Sequence, residues 1–264
     1  MHVPQYKNRN DKTCLNCNTR LVGKFCSNCG QDANTHRINS HFLWHDIQHG
    51  LTHVDKGMLF TIKELFTRPG NSIRQFLEGK RIKHFKPISL VIILAGAYGF
   101  LSHYYEINIF SSNIQKISGS GAGYAHAKKT IGDIIDWVSE HYALVTLIQL
   151  PALALGTYLG FKKAGYNFVE HLVINSFLTA QRLLLRLITF PIFYYYNNTT
   201  ALRMASNVID FMGYTLMAWS LFQLFNTLST GQKIWRIFLS LAISFSTLLI
   251  ALFGIAFYIA KSLK

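Results

Sequence analysis

Residues 238–260 read "FLSLAISFSTLLIALFGIAFYIA", twenty-three positions without a single charged side chain. A bilayer core about 30 Å thick needs roughly 20 mainly apolar helical residues to cross it, and this run is long enough. It shows no polar face to water, which a helix on the surface of a soluble domain would need. The stretch predicts a membrane span and sets the class of the whole chain. Four further runs behave similarly, so about five spans are expected: 88–105, 142–161, 169–195, 208–228 and 234–260.

Composition agrees. Half of the 264 residues are hydrophobic and only 14% are charged, against about 25% in ordinary soluble domains; mean hydropathy is +0.20. The net charge of +14 is unevenly spread. Residues 1–86 hold all four cysteines and most of the histidines, with a clear excess of Lys and Arg. The first twenty residues are polar and contain no apolar signal-peptide core, so this basic part is expected in the cytosol. Short basic connections favour the same side. Lys80, Arg81, Lys83 and Lys86 precede the first span, Lys162 and Lys163 follow the second, and Lys233 and Arg236 mark the junction of the fourth and fifth. Lys261 and Lys264 fall on the opposite side and run against this orientation. Three divisions follow: 1–35, 36–86 and the transmembrane 87–264.

Within 1–35, Cys14-x-x-Cys17 and Cys26-x-x-Cys29 form two knuckles eight residues apart. Each C-x-x-C turn directs two thiolates at one point, and two such turns complete a tetrahedral, all-sulfur site suited to one structural Zn(II). Such a closed site has no open coordination position, so its role is structural. A ribbon of this kind is expected to dock a protein partner. Nucleic acid is disfavoured, because Lys12, Arg20 and Lys24 have no aromatic stacking platform beside them.

Residues 36–86 predict a helical collar. On a helix over 40–67, Leu43, Ile47, Leu51, Val54, Met58, Ile62 and Leu65 fall on one face. His41, His45, His49 and His53 lie on the other, as the polar face of an amphipathic cytosolic helix. Histidines four apart can share a metal, so a second metal site there is the minority expectation, with Asp46 or Asp55 as further ligand. Pro69 ends this helix at Arg68 and a second starts near Asn71. Lys80, Arg81, Lys83 and Lys86 are expected at anionic lipid headgroups.

The glycines of "SGSGAGYAH" (118–126) read as a flexible linker, and "GDIIDWVSEHY" after it as a short interfacial helix. Gln181, Arg182 and Arg186 interrupt the third apolar run. Charges at such depth need a partner or a wet cavity, and Asp210 is in reach of Arg186. These four residues form a candidate intramembrane polar site, structural or for an anion or lipid.

"FCSNCGQ" (25–31), "HVDKG" (53–57), "KELFTRPG" (63–70), and "LEGKR" with "FKP" (77–87) resemble an uncharacterised bacterial membrane-protein family that joins a zinc ribbon to several transmembrane helices. The resemblance implies a multi-pass protein of the bacterial cytoplasmic membrane, with no established activity to carry over. Five spans after a cytosolic N-terminal part are also similar, in architecture alone, to Yip-type membrane proteins. Three roles result: a non-catalytic scaffold or recruitment platform first, an anion or lipid transporter second, and a metal-dependent enzyme using the histidine ladder third. No nucleophile or binding pocket for catalysis can be identified in the sequence.

Overall fold

A computed structural model describes residues 13–40, 57–107, 122–197 and 199–262. Regular structure among them is helical: α1 (Gly57–Thr67), α2 (Pro69–Leu77), α3 (Pro87–Tyr104), α4 (Ala122–Glu140), α5 (Tyr142–Gly160), α6 (Phe168–Ile188), α7 (Phe190–Tyr195), α8 (Thr200–Leu224) and α9 (Thr230–Ser262). A 3₁₀ turn at Lys162–Ala164 precedes α6. Extended pairing among the described residues is confined to two isolated bridges, Thr13 with Arg20 and Phe25 with Asp32. The all-helical expectation holds for the described chain.

Among the described residues three helices are long and apolar enough to cross a membrane: α3, α5 and the Thr230–Ile250 part of α9. A membrane protein is therefore plausible, but the five spans expected from the sequence are not matched. α6 and α8 form as helices over the third and fourth runs but fall short in apolar character. Glu170, Arg182 and Arg186 dilute the first of them, and Arg203 and Asp210 the second. The expected run 169–195 is also not one helix. Thr189 leaves helical geometry, with φ −89° and ψ 5°, and a separate α7 begins with Pro191 in its first turn, where a missing N–H costs nothing.

The linker reading of 118–126 is corrected in part. Ala122 already begins α4, so the helix expected only around "GDIIDWVSEHY" extends back through His126; positions 118–121 lie outside the described residues. The break at Pro69 falls where expected, between Thr67 and Pro69.

The described residues gather into two compact units. One comprises those up to Leu90 with Gln149–Leu178 and those from Ala218 onward; the other comprises those of Val91–Ile148 and Thr179–Met217. In the first unit, Leu65, Ile73, Phe76, Leu77, Val173, Ile174, Phe177 and Leu221 are buried. Phe161 stacks on Phe225 at 3.8 Å between ring centroids, and Phe76 meets Phe177 edge-on at 5.2 Å. Gly156 and Gly160 of α5 face Ser244 and Ser240 of α9 so closely that a Cβ on either glycine would collide with a serine hydroxyl. Small residues four apart on facing helices allow the backbones to approach, the packing device of helices in lipid.

In the second unit, Tyr98, Ile107, Leu185, Phe190, Phe193, Leu202 and Ile209 form the buried cluster. Aromatic side chains supply much of the area here, with Tyr98 edge-on to Phe190 at 6.3 Å.

Candidate metal centre

The two cysteine turns are built as copies of each other, twelve residues apart. Cys14 donates its backbone N–H to the Thr19 carbonyl at 2.8 Å, and Cys26 does the same to the Gln31 carbonyl at 2.8 Å. Asn18 returns a bond to the Cys14 carbonyl, and Gly30 to the Cys26 carbonyl, each at 2.9 Å. Both closing residues have positive φ, 60° for Asn18 and 76° for Gly30, a region open to Gly and tolerated by Asn. "CLNCNTR" and "CSNCGQD" are thus one turn used twice. That repeat is readable in the sequence, with Asn18 standing in the first turn where Gly30 stands in the second.

The turns bring the four thiols together. Cys14 Sγ lies 3.6 Å from Cys29 Sγ, and Cys17 Sγ 3.5 Å from Cys26 Sγ; all four sulfurs lie within 4.8 Å of one another. Four thiolates at about 2.3 Å from one tetrahedral ion would stand about 3.8 Å apart, so the set fits a metal ion with little adjustment. None of the cysteines is in a disulfide. Burial pushes the Cys14 thiol up to about 11, so a cation bound there displaces a proton. The Thr19 hydroxyl, 3.2 Å from Cys17 Sγ, and the Thr19 amide draw the Cys17 thiol down to about 6. No other group of this kind occurs among the described residues. The histidine ladder, His41, His45, His49 and His53, lies outside the described residues together with Asp46 and Asp55.

What fixes the turns to the helices is Gln31, which the sequence reading did not single out. Its side chain is buried. Nε2 donates to the Gly79 carbonyl at 2.9 Å, and Oε1 accepts from the backbone N–H groups of Arg81 at 3.0 Å and Ile82 at 3.3 Å. Those groups are presented by the end of α2. Gly79 N–H bonds to the Phe76 carbonyl and Lys80 N–H to the Gln75 carbonyl, the paired bonds of a Schellman turn. Gly79 has φ +98°, and a Cβ there would stand 2.7 Å from Leu15 Cδ1. Only glycine both makes this turn and admits the four-cysteine module against it.

Two more anchors surround the site. Arg37 donates Nε to Glu170 Oε1 at 2.9 Å and Nη2 to Oε2 at 2.7 Å, with a further bond from Nη2 to the Gly165 carbonyl. Glu170 is fully buried and also caps its own helix. Its Oε2 accepts from Asn167 N–H while Asn167 Oδ1 accepts from Glu170 N–H, a reciprocal capping box. Arg74 donates to the carbonyls of Gln223 and Leu224, satisfying the C-terminus of α8. Gly70 packs against the same end too closely for any side chain, which accounts for glycine after Pro69.

The basic cluster expected at headgroups divides. Arg81 turns inward, with Nε on the Phe76 carbonyl at 3.2 Å, Nη2 on the His36 carbonyl at 2.9 Å, and its guanidinium over the Phe76 ring. It is a packing residue. Lys80 and Lys83 are exposed and Lys86 is half-buried. In the second unit, Arg186 Nη2 meets Asp210 Oδ1 at 2.6 Å and Nη1 reaches Tyr98 Oη at 3.3 Å. Arg182 stands over the Tyr214 ring at 4.5 Å, and Gln181 is fully buried. Arg186 and Asp210 are thus brought together, while Arg182 finds an aromatic face.

A family model described as "Protein of unknown function (DUF3667)" matches residues 55–99, which include α1, α2, the Gly79 turn and much of α3. No curated protein and no solved structure matches the chain, so the Yip-type likeness has no structural counterpart among them.

Proposed function

We propose that the protein is a multi-pass membrane protein whose metal-held turns, with α1 and α2, form a cytosolic platform for docking a protein partner, without chemistry of its own. The observation that carries this reading is the Gln31 clasp. A module that small cannot build a core, yet Gln31 ties it through three hydrogen bonds to the segment leading into α3, a helix apolar enough to span. Val22 and Phe25 between the two knuckles stay exposed at 95% and 64%, which leaves apolar surface for a partner. Zn(II) is the ion proposed, since four thiolates in a closed tetrahedral set suit it best among biological metals.

Five crossings with a cytosolic N-terminus, in a bacterial cytoplasmic membrane, belong to the same proposal. In support, the charges that make α6 and α8 too polar by composition are largely partnered: Glu170 with Arg37, and Arg186 with Asp210. Paired charges cost far less in lipid than their count suggests.

The test is cross-linking of the full chain in its native membrane, with metal analysis alongside. A partner set captured by the wild type, lost in Cys14→Ser/Cys17→Ser and kept in Arg186→Leu, together with about one zinc per chain, supports the platform. A partner set unchanged by loss of the cysteines overturns it. A tag at the C-terminus that is protected from the cytosol fits five crossings; a cytosolic one overturns that count.

A further inference from the structure

A cavity of about 400 Å³ opens between the cysteine turns and the α1–α2 pair, within the roughly 300–1,000 Å³ range of ligand pockets. Three of the side chains lining it are cations, Arg68, Lys80 and Lys83, and among the described residues no Asp or Glu lines it. Arg68 is held at 2.7 Å by Glu64. Lys80 and Lys83 have no acidic partner among the described residues, and the inward turn of Arg81 between them leaves these two as the open charges.

The neutral lining points the same way. Asn16 and Asn28 occupy equivalent places in the repeated turns and reach the same cavity, where Gln75 of α2 joins them. Carboxamide N–H₂ groups and ammonium groups are all donors, a set that suits a ligand rich in acceptor oxygens. Cys17 and Cys29 form part of one wall, and a metal-loaded tetrathiolate would carry two negative charges there. The two open lysines offset that charge and Glu64 offsets Arg68, so a singly charged phosphodiester is accommodated more readily than a dianionic monoester.

We infer that this cavity binds the phosphate of a phosphodiester, held by Lys80, Lys83 and Arg68 with the carboxamides of Asn16, Asn28 and Gln75. Two sources share that chemistry, a phospholipid headgroup and a soluble ester. Lys83 stands four residues before Pro87, the first residue of α3, so a fully extended chain keeps it within about 14 Å of that helix. This favours the lipid, and that preference rests on the membrane placement proposed above, whereas the phosphate site itself does not.

The experiment uses the full-length, metal-loaded protein in maltoside micelles, which contain no phosphate. One arm counts retained phosphatidylglycerol by native mass spectrometry; the other titrates deacylated glycerophosphoglycerol by calorimetry. The expected result is retention of phosphatidylglycerol, reduced on the order of tenfold or more in Lys80→Gln/Lys83→Gln and unchanged in Lys162→Gln/Lys163→Gln. Lys80→Arg/Lys83→Arg, which keeps the charge, retains it, and Gln75→Leu weakens it without touching a cation. Binding of glycerophosphoglycerol with the same variant pattern and no advantage for the lipid keeps the phosphate site and removes the lipid as its source. Equal loss in both lysine pairs overturns the proposal, because general surface charge then suffices. So does absence of binding in both arms, or a Lys80/Lys83 variant that loses zinc while its phosphate binding stays intact.

Discussion

Gln31 and Gly79, forty-eight residues apart in sequence, meet through a 2.9 Å hydrogen bond that closes the four-cysteine module onto the end of α2. The same carboxamide accepts from Arg81 and Ile82, so one side chain satisfies three buried or half-buried backbone groups. Leaving such groups unpaired costs about 1–3 kcal/mol each where water cannot replace the bond. Gln31→Ala should therefore loosen the module by about 2–3 kcal/mol. The measurement is the rate of zinc release to a chelator, expected to rise by at least an order of magnitude. Gln31→Glu, which keeps the acceptor and loses the donor, should fall between. Release at the wild-type rate in both variants would show that the clasp does not hold the module.

Arg37 and Glu170 make the second long-range tie, and the burial is lopsided: the Arg37 side chain is 40% exposed and that of Glu170 fully enclosed. Removing the arginine strands a buried carboxylate, a loss that reaches about 3–5 kcal/mol for a fully buried pair. The exposed side of Arg37 lets water take part of its place, so about 2–3 kcal/mol is expected for Arg37→Ala. Glu170→Gln keeps an oxygen for the Asn167 amide and should cost less. A double-mutant cycle read by thermal melting in detergent should give a coupling of at least about 1 kcal/mol. Simple additivity of the two losses would contradict this.

Legibility from sequence followed the range of the interactions. The four-cysteine site was readable because each pair of ligands is set by a local turn, and the twelve-residue repeat carried the extra information that Asn18 matches Gly30. Gln31 was not readable: its partners lie near residue 80, and nothing local separates it from an exposed glutamine. The basic run 80–86 misled in one position. Which side of a chain segment Arg81 faces depends on the Schellman turn at Gly79, and a count of charges cannot supply that. Pro191 signals the break in the third apolar run, and hydropathy does not register it because proline is apolar. A count of charges along α6 and α8 likewise cannot show that Arg186 and Asp210 are paired.

That pair separates the platform reading from transport. Arg186 Nη2 and Asp210 Oδ1 are 2.6 Å apart, with side-chain exposures of 14% and 31%, beside the aromatic cluster around Tyr98 and Phe190. A structural pair is destabilised by about 2–4 kcal/mol when one member is removed and recovers when both become apolar. Arg186→Leu should therefore lower the melting temperature, and Arg186→Leu/Asp210→Leu should restore most of it. A transport site behaves differently: the double variant would stay inactive in a liposome anion- or lipid-flux assay however stable it is. Flux in the wild type that vanishes in the restored double variant would replace the platform reading.

His84 gives the module a pH dependence of known sign. Its ring lies among Phe60, Phe76 and Phe177, with Nδ1 3.5 Å from Ser72 Oγ. Burial pushes the imidazole down to about 4; nearby Glu64 acts to raise it and Arg68 to lower it further. An unfolded His binds its proton near pH 6.5, so the unfolded state takes up the proton first as the solution is acidified. The stabilising contribution is therefore complete above about pH 6.5 and drains away as the pH falls toward 4, a loss on the order of 2–3 kcal/mol. Hydrogen exchange at the amides of 79–85 should quicken between pH 7 and pH 5 beyond the chemical trend. In His84→Gln, which has no proton to gain, that excess should disappear. The same excess in the variant would assign the pH dependence to another group.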